Sequence, residues 1–151
     1  MSHNVLTRYV PTRKGVGRRR NLLGMPSQNI HDTVQRVQAG FSFSSLLTFE
    51  KSSGLPLATI ANLIQIPPRT LARRRASGRL QPQESERLLR IATVFERAVA
   101  LFEGDVDGAR RWLTRPVRAL GYEKPLVYAQ TEVGAREVER VIDRLEHGIF
   151  M

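Results

Sequence analysis

Residues 82–103, PQESERLLRIATVFERAVALFE, constrain the fold of this chain more than any other stretch. Leu88, Leu89, Ile91, Ala92, Phe95, Ala98, Val99, Leu101 and Phe102 are apolar over much of the circumference of a helix. Such a helix is expected at the centre of the molecule, with its neighbours wrapped around it. The flanking segments also carry helical spacing. Ile30, Val34, Val37 and Phe41 make one stripe, broken by Gly40. Phe43, Leu46 and Leu47, with Glu50 and Lys51, sit on a second short helix that Ser-Ser-Gly ends. Pro56 opens a third, with Ile60, Leu63 and Ile64 inward, and Pro67-Pro68 open a fourth that Gly78 stops. After the central helix, Asp105 caps a short helix anchored by Trp112 and Leu113. A turn-rich connector leads to a last helix capped by Thr131, with Val138, Val141, Ile142 and Leu145 as its stripe and Gly148 as its stop. No segment alternates with period two, so the fold class is all-α.

Charge divides the chain. Residues 1–80 hold thirteen Lys or Arg against two Asp or Glu, a balance of +11; residues 81–151 hold eleven against twelve, a balance of −1. The net charge of +10 points to an acidic partner, with nucleic acid first. The expected division is a basic flexible arm at 1–29, a helix-turn-helix domain at 30–80 and a partner-binding domain at 81–151. The arm, with its Arg18–Arg20 knot, has two readings: a solubilising tail, or a strand of charge that tracks phosphates or enters a minor groove. No apolar run approaches the roughly 18–20 residues that span a bilayer, and a cytoplasmic location is expected. There is no cysteine, so thiolate chemistry and disulfides are excluded.

The third and fourth helices form a candidate helix-turn-helix. Ala61 is small enough for a close crossing, the link IQIPP is short, and Leu71 is the apolar pin of the second helix. Glycine is missing from the turn, where Gln65 and Ile66 stand. In this geometry the second helix enters the major groove. Its sequence, RTLARRR, supplies Arg69, Thr70, Arg73, Arg74 and Arg75 as candidate DNA contacts, because arginine grips guanine bidentately and clamps phosphate. A solvated basic helix is the competing reading.

RTLARRRASGRLQPQESERLLRIATVFERAVALF, continuing through ARRWLTRPVRALGYEKPLVYAQTEVGAREVERVIDRLEHGIF, resembles the Xre/MbcA/ParS-like antitoxins of bacterial type II toxin–antitoxin systems. Trp112-Leu113, Pro116, the Leu-Gly-x-x-x-Pro-Leu turn from Leu120, Thr131-Glu132-x-Gly-Ala and the Glu-x-Gly end carry the resemblance. Pro67 departs from it, standing where an N-capping serine is common. The resemblance implies a dimeric helix-turn-helix that represses its own operon by binding operator DNA. It also implies a C-terminal half that silences a cognate RES-domain toxin, an enzyme that consumes NAD. Arg136, Glu139, Arg140, Asp143, Glu146, His147, Gly148, Ile149 and Phe150 are the candidate toxin contacts. Ile149, Phe150 and Met151 either tuck back or enter a partner's pocket, and the resemblance favours the pocket.

Catalysis has little support in the sequence. His3, His31 and His147 are isolated, without metal-ligand spacing, and GVGRRR lacks the length and lysine of a phosphate loop. Glu84 and Glu86, beside arginines on a helix, read as salt-bridge partners. No cofactor is expected. The alternative to an antitoxin is a free-standing helix-turn-helix regulator without a toxin partner.

Overall fold

The computed structural model describes residues 21–26 and 29–148. These contain eight α-helices and one 3₁₀ turn: α1 Ile30–Ala39, α2 Phe43–Ser53, α3 Leu57–Leu63, α4 Pro68–Ser77, α5 Pro82–Leu101, α6 Val106–Leu113, the 3₁₀ turn Arg118–Leu120, α7 Pro125–Tyr128 and α8 Glu132–Glu146. The described residues form no strand and only isolated bridges, such as Ser42–Arg79 and Val117–Glu123, so the fold is all-α. No helix of the described residues is long and apolar enough to cross a membrane.

α5 is the axis. It packs against α1 and α2 on one side of the chain's order and against α6, α7 and α8 on the other. Leu88, Ile91, Ala92, Val94, Phe95 and Ala98 are buried, and Phe95 meets Phe49 of α2 edge to face with ring centroids 5.7 Å apart. That geometry sets the positive ring edge against the negative face. The core is one cluster running from Leu23 to Ile142. The expected boundary between residues 80 and 81 therefore falls between helices that share this core. Phe49 and Val94, absent from the sequence-derived core, are fully buried, whereas Leu47 of the expected set is 38% exposed.

α1 forms where its stripe placed it, capped by the Asn29 carboxamide oxygen, which accepts from Asp32 N at 2.9 Å. Only the C-terminal part of the stripe reaches the core. Ile30 is 79% exposed and Val34 44%; Val37 packs against the core and Phe41 is buried beyond the helix end. Helical spacing defines a face, but only a neighbouring element buries it. Gly40 turns the chain at φ 82°, and a Cβ there would stand 2.2 Å from the Leu80 carbonyl oxygen. This close approach lets Leu80 N donate to Phe41 O (2.8 Å) and Phe43 N donate to Gly78 O (2.9 Å), tying the α1–α2 corner to the α4–α5 corner. Arg79 donates to the Gly40 carbonyl at 2.7 Å, a cation at the negative end of α1.

Part of the segment expected as a free arm is docked. Asn21 Oδ1 accepts from Leu23 N and Met25 N, both at 3.0 Å, closing a turn. Leu22 N donates to Glu96 of α5 at 2.7 Å, and Leu23 is buried. The apolar Leu-Leu pair explains this departure, since burial of Leu23 outweighs the ordering of a few residues. Residues 1–20 and 27–28 of the expected arm, including Arg18–Arg20, lie outside the described residues.

Candidate functional site

α3 ends in a Schellman motif. Ile66 N donates to Ala61 O (2.8 Å) and Gln65 N to Asn62 O (3.1 Å), with Gln65 in the left-handed region at φ 61°. The turn thus adopts the backbone that glycine favours, without glycine. Ile66 and Ala61 are buried beneath it. Pro67 stands at the N-cap of α4 with no side-chain cap bond, and Pro68 occupies the first turn, where a missing donor costs least. No residue of α4 is fully buried; Leu71 packs half-buried against the core, so the pin is lighter than a buried leucine.

This shallow seating leaves α4 open, and its arginines divide by what they touch. Arg69 and Arg73 are exposed, and Arg73 donates to Thr70 Oγ1 at 3.3 Å. Arg74 turns inward: its Nε donates to Glu84 Oε1 at 2.8 Å, and both side chains are largely buried, at 19% and 10% exposure. The same oxygen accepts from Gln81 N at 2.7 Å, completing a capping box at the start of α5. Arg75 lies over the Phe43 ring, 5.3 Å from its centroid. Arg74 and Arg75 therefore brace α4 against α5 and α2. Arg69, Thr70 and Arg73 are left as the outward set. The signal for the brace lay in the Gln81–Glu84 spacing, but the sequence could not say which arginine Glu84 would meet.

The second set runs along α8. Thr131 Oγ1 accepts from Gly134 N at 2.9 Å. Gly134 packs so closely on α7 that a Cβ would lie 1.7 Å from the Tyr128 carbonyl oxygen. Ala135, Val138, Val141 and Ile142 are buried, while Leu145 of the expected stripe is 39% exposed. The opposite face carries Arg136, Glu139, Arg140, Asp143, Glu146 and His147 in helical register. Arg136 pairs with Glu132 and Arg140 with Glu137, each at 3.0 Å and largely exposed, so both contribute little to stability. Asp143 pairs with Arg97 of α5. The His147 ring Nδ1 lies 2.7 Å from the Asp143 carbonyl oxygen, and Gly148 turns at φ 65°. Ile149 and Phe150, named from the sequence as contacts, lie outside the described residues, as does Met151.

Two features were not foreseen. Gln130 donates to the Asn62 and Leu63 carbonyls, both at 3.4 Å, so the C-terminal half touches the end of α3. Arg90 holds that contact by donating to Gln130 O at 3.2 Å. Beside α6, an open groove of about 590 Å³ is lined by Phe102, Asp105, Gly108, Arg111, Trp112, Arg115, Pro116 and Val117. No group of His, Asp and Glu suited to a metal ion occurs among the described residues.

These two surfaces coincide with two known domains. Residues 32–92 match the antitoxin Xre-like helix-turn-helix domain, and residues 97–148 match the antitoxin Xre/MbcA/ParS C-terminal toxin-binding domain. A protein named Antitoxin Xre from Yersinia enterocolitica serotype O:8 / biotype 1B is 39% identical over 129 residues, 85% of this chain and 87% of its own length. Another of that name from Photorhabdus laumondii subsp. laumondii is 42% identical over 128 residues, 84% and 86% of the two lengths. The chain belongs to the Xre antitoxin family. The junction between the two matched domains falls inside α5, so in this Xre-family chain one helix serves both halves. α4 lies in the first matched domain, and α8 with the groove beside α6 lies in the second.

Proposed function

We propose that this antitoxin neutralises a RES-domain toxin that consumes NAD, and that it represses its own operon as a homodimer bound to operator DNA. The observation that carries this reading is the order of two surfaces on one frame: an open, acid-free arginine face on α4, then a polar face on α8 inside the matched toxin-binding domain. The resemblance of Trp112-Leu113, Leu120-Gly121, Pro125-Leu126 and Thr131 to Ala135 to the antitoxins of RES-type toxins supports the toxin class. Arg69, Thr70 and Arg73 approach the bases and phosphates, while Arg74 and Arg75 hold α4 in place. Residues 30–80 serve DNA and residues 81–151 the toxin, with α5 shared between them. Arg136, Glu139, Arg140, Asp143, Glu146 and His147 steer the toxin by charge, and Gly148, Ile149 and Phe150 enter its NAD site. The protein acts in the cytoplasm by binding, without a cofactor and without catalysis of its own.

Two assays test this. The protein encoded beside the antitoxin gene, purified alone, should consume NAD, and an equimolar addition of the antitoxin should stop it. A reporter driven by the upstream region should be silenced by the wild type and released by the Arg69→Ala/Arg73→Ala variant. A neighbour that leaves NAD untouched rules out the toxin class. A reporter indifferent to the antitoxin rules out autorepression.

A further inference from the structure

We propose that the groove beside Trp112 docks an acidic segment of the toxin that inserts an apolar side chain between Trp112 and Phe102. This rests on the antitoxin reading above and places a second toxin contact away from α8. Ala109 and Leu113 already bury the inner face of α6. Trp112, the single tryptophan of the chain, stands half-exposed beside them. Phe102, Pro116 and Val117 complete an apolar wall. Concave apolar surfaces with an aromatic floor are where interface anchors seat.

Charge identifies the occupant. Arg111 on α6 and Arg115, two residues beyond the helix end, are exposed at the groove, and their guanidinium groups have no ion pair or hydrogen bond among the described residues. Arg110, next in sequence, is satisfied: it pairs with Asp107 at 2.8 Å and donates to Ser53 O at 3.2 Å. The two free cations call for carboxylates from outside. A nucleic-acid backbone fits less well. A polyanion needs a broad positive field, which this half of the chain, with a balance of −1, does not offer, whereas a short acidic segment needs only the two arginines. The groove also lies wholly within the residues matched as toxin-binding.

The test is calorimetric binding of the full-length antitoxin to the protein encoded beside it, with DNA binding measured in parallel. Arg111→Glu/Arg115→Glu should weaken toxin binding by about tenfold or more and flatten its salt dependence. Trp112→Leu should weaken it in a chain that still unfolds cooperatively and still binds DNA. DNA affinity should survive the charge swap. Toxin affinity unchanged in both variants overturns the proposal. So does loss of DNA binding with toxin binding intact, which would make the groove a nucleic-acid surface. Absence of binding by the wild type would remove the antitoxin reading itself, and this groove with it.

Discussion

Glu84 collects two donors on one carboxylate oxygen, Arg74 Nε and Gln81 N, in a setting where it is nearly buried. Removing Arg74 leaves that carboxylate with its backbone donor alone. Arg74→Ala is expected to lower stability by roughly 1–3 kcal/mol, read as a shift of the thermal melt. Arg69→Ala removes an exposed side chain and should leave the melt unchanged. Its cost should appear in DNA titrations, about 1–3 kcal/mol for a base contact, or a salt slope flatter by about one for a phosphate contact. The reverse pattern would exchange their roles. Gln65 offers a second test. A non-glycine residue at φ 61° is strained, so Gln65→Gly should raise stability by up to about 1 kcal/mol, and a lowered melting temperature would show that its side chain outweighs the strain. The arginine cluster, Ala61 and the caps Asp105 and Thr131 were legible in the sequence because each acts through near neighbours. Which arginines stay free was not legible, because Glu84 and Phe43 reach Arg74 and Arg75 only through tertiary packing.

At the scale of elements, the longer helices came from spacing and stop signals; α7, inside the segment read as a turn-rich connector, and the packing partners of every helix did not. The stripe of α1 reads like the stripe of α8, yet Ile30 and Val34 are exposed while Val138 and Ile142 are buried. Periodicity cannot tell the two apart. Contact between α7 and α8 depends on Gly134. Gly134→Ala drives a methyl group into the Tyr128 carbonyl, and should cost roughly 1–3 kcal/mol by overpacking. The damage should localise to the C-terminal half, seen as faster amide exchange there; uniform protection would mean the junction relaxes freely. The shared core makes a sharper claim. A fragment ending at Leu80 lacks Phe95 and the rest of α5, so circular dichroism should show little cooperative unfolding. A fragment ending at Leu101 retains that face and should melt cooperatively. A well-folded shorter fragment would show that α1 to α4 stand alone.

The whole molecule joins a strongly basic half and a balanced half through one helix. The charge asymmetry was plain in the sequence, and so was the order of the two surfaces. The tie from Gln130 to the end of α3 was not, since it bridges residues far apart in the chain. Nor was the Trp112 groove, whose lining from Phe102 to Val117 is brought together only by the way α6 folds back on the end of α5. The central claim is that this chain silences a toxin through its C-terminal half while α4 holds DNA. Growth of cells expressing the neighbouring protein from an independent promoter tests it most directly. Alone, that protein should arrest growth; with the antitoxin, or with its Arg69→Ala/Arg73→Ala variant, growth should return. Continued arrest in the presence of the wild-type antitoxin would contradict the account.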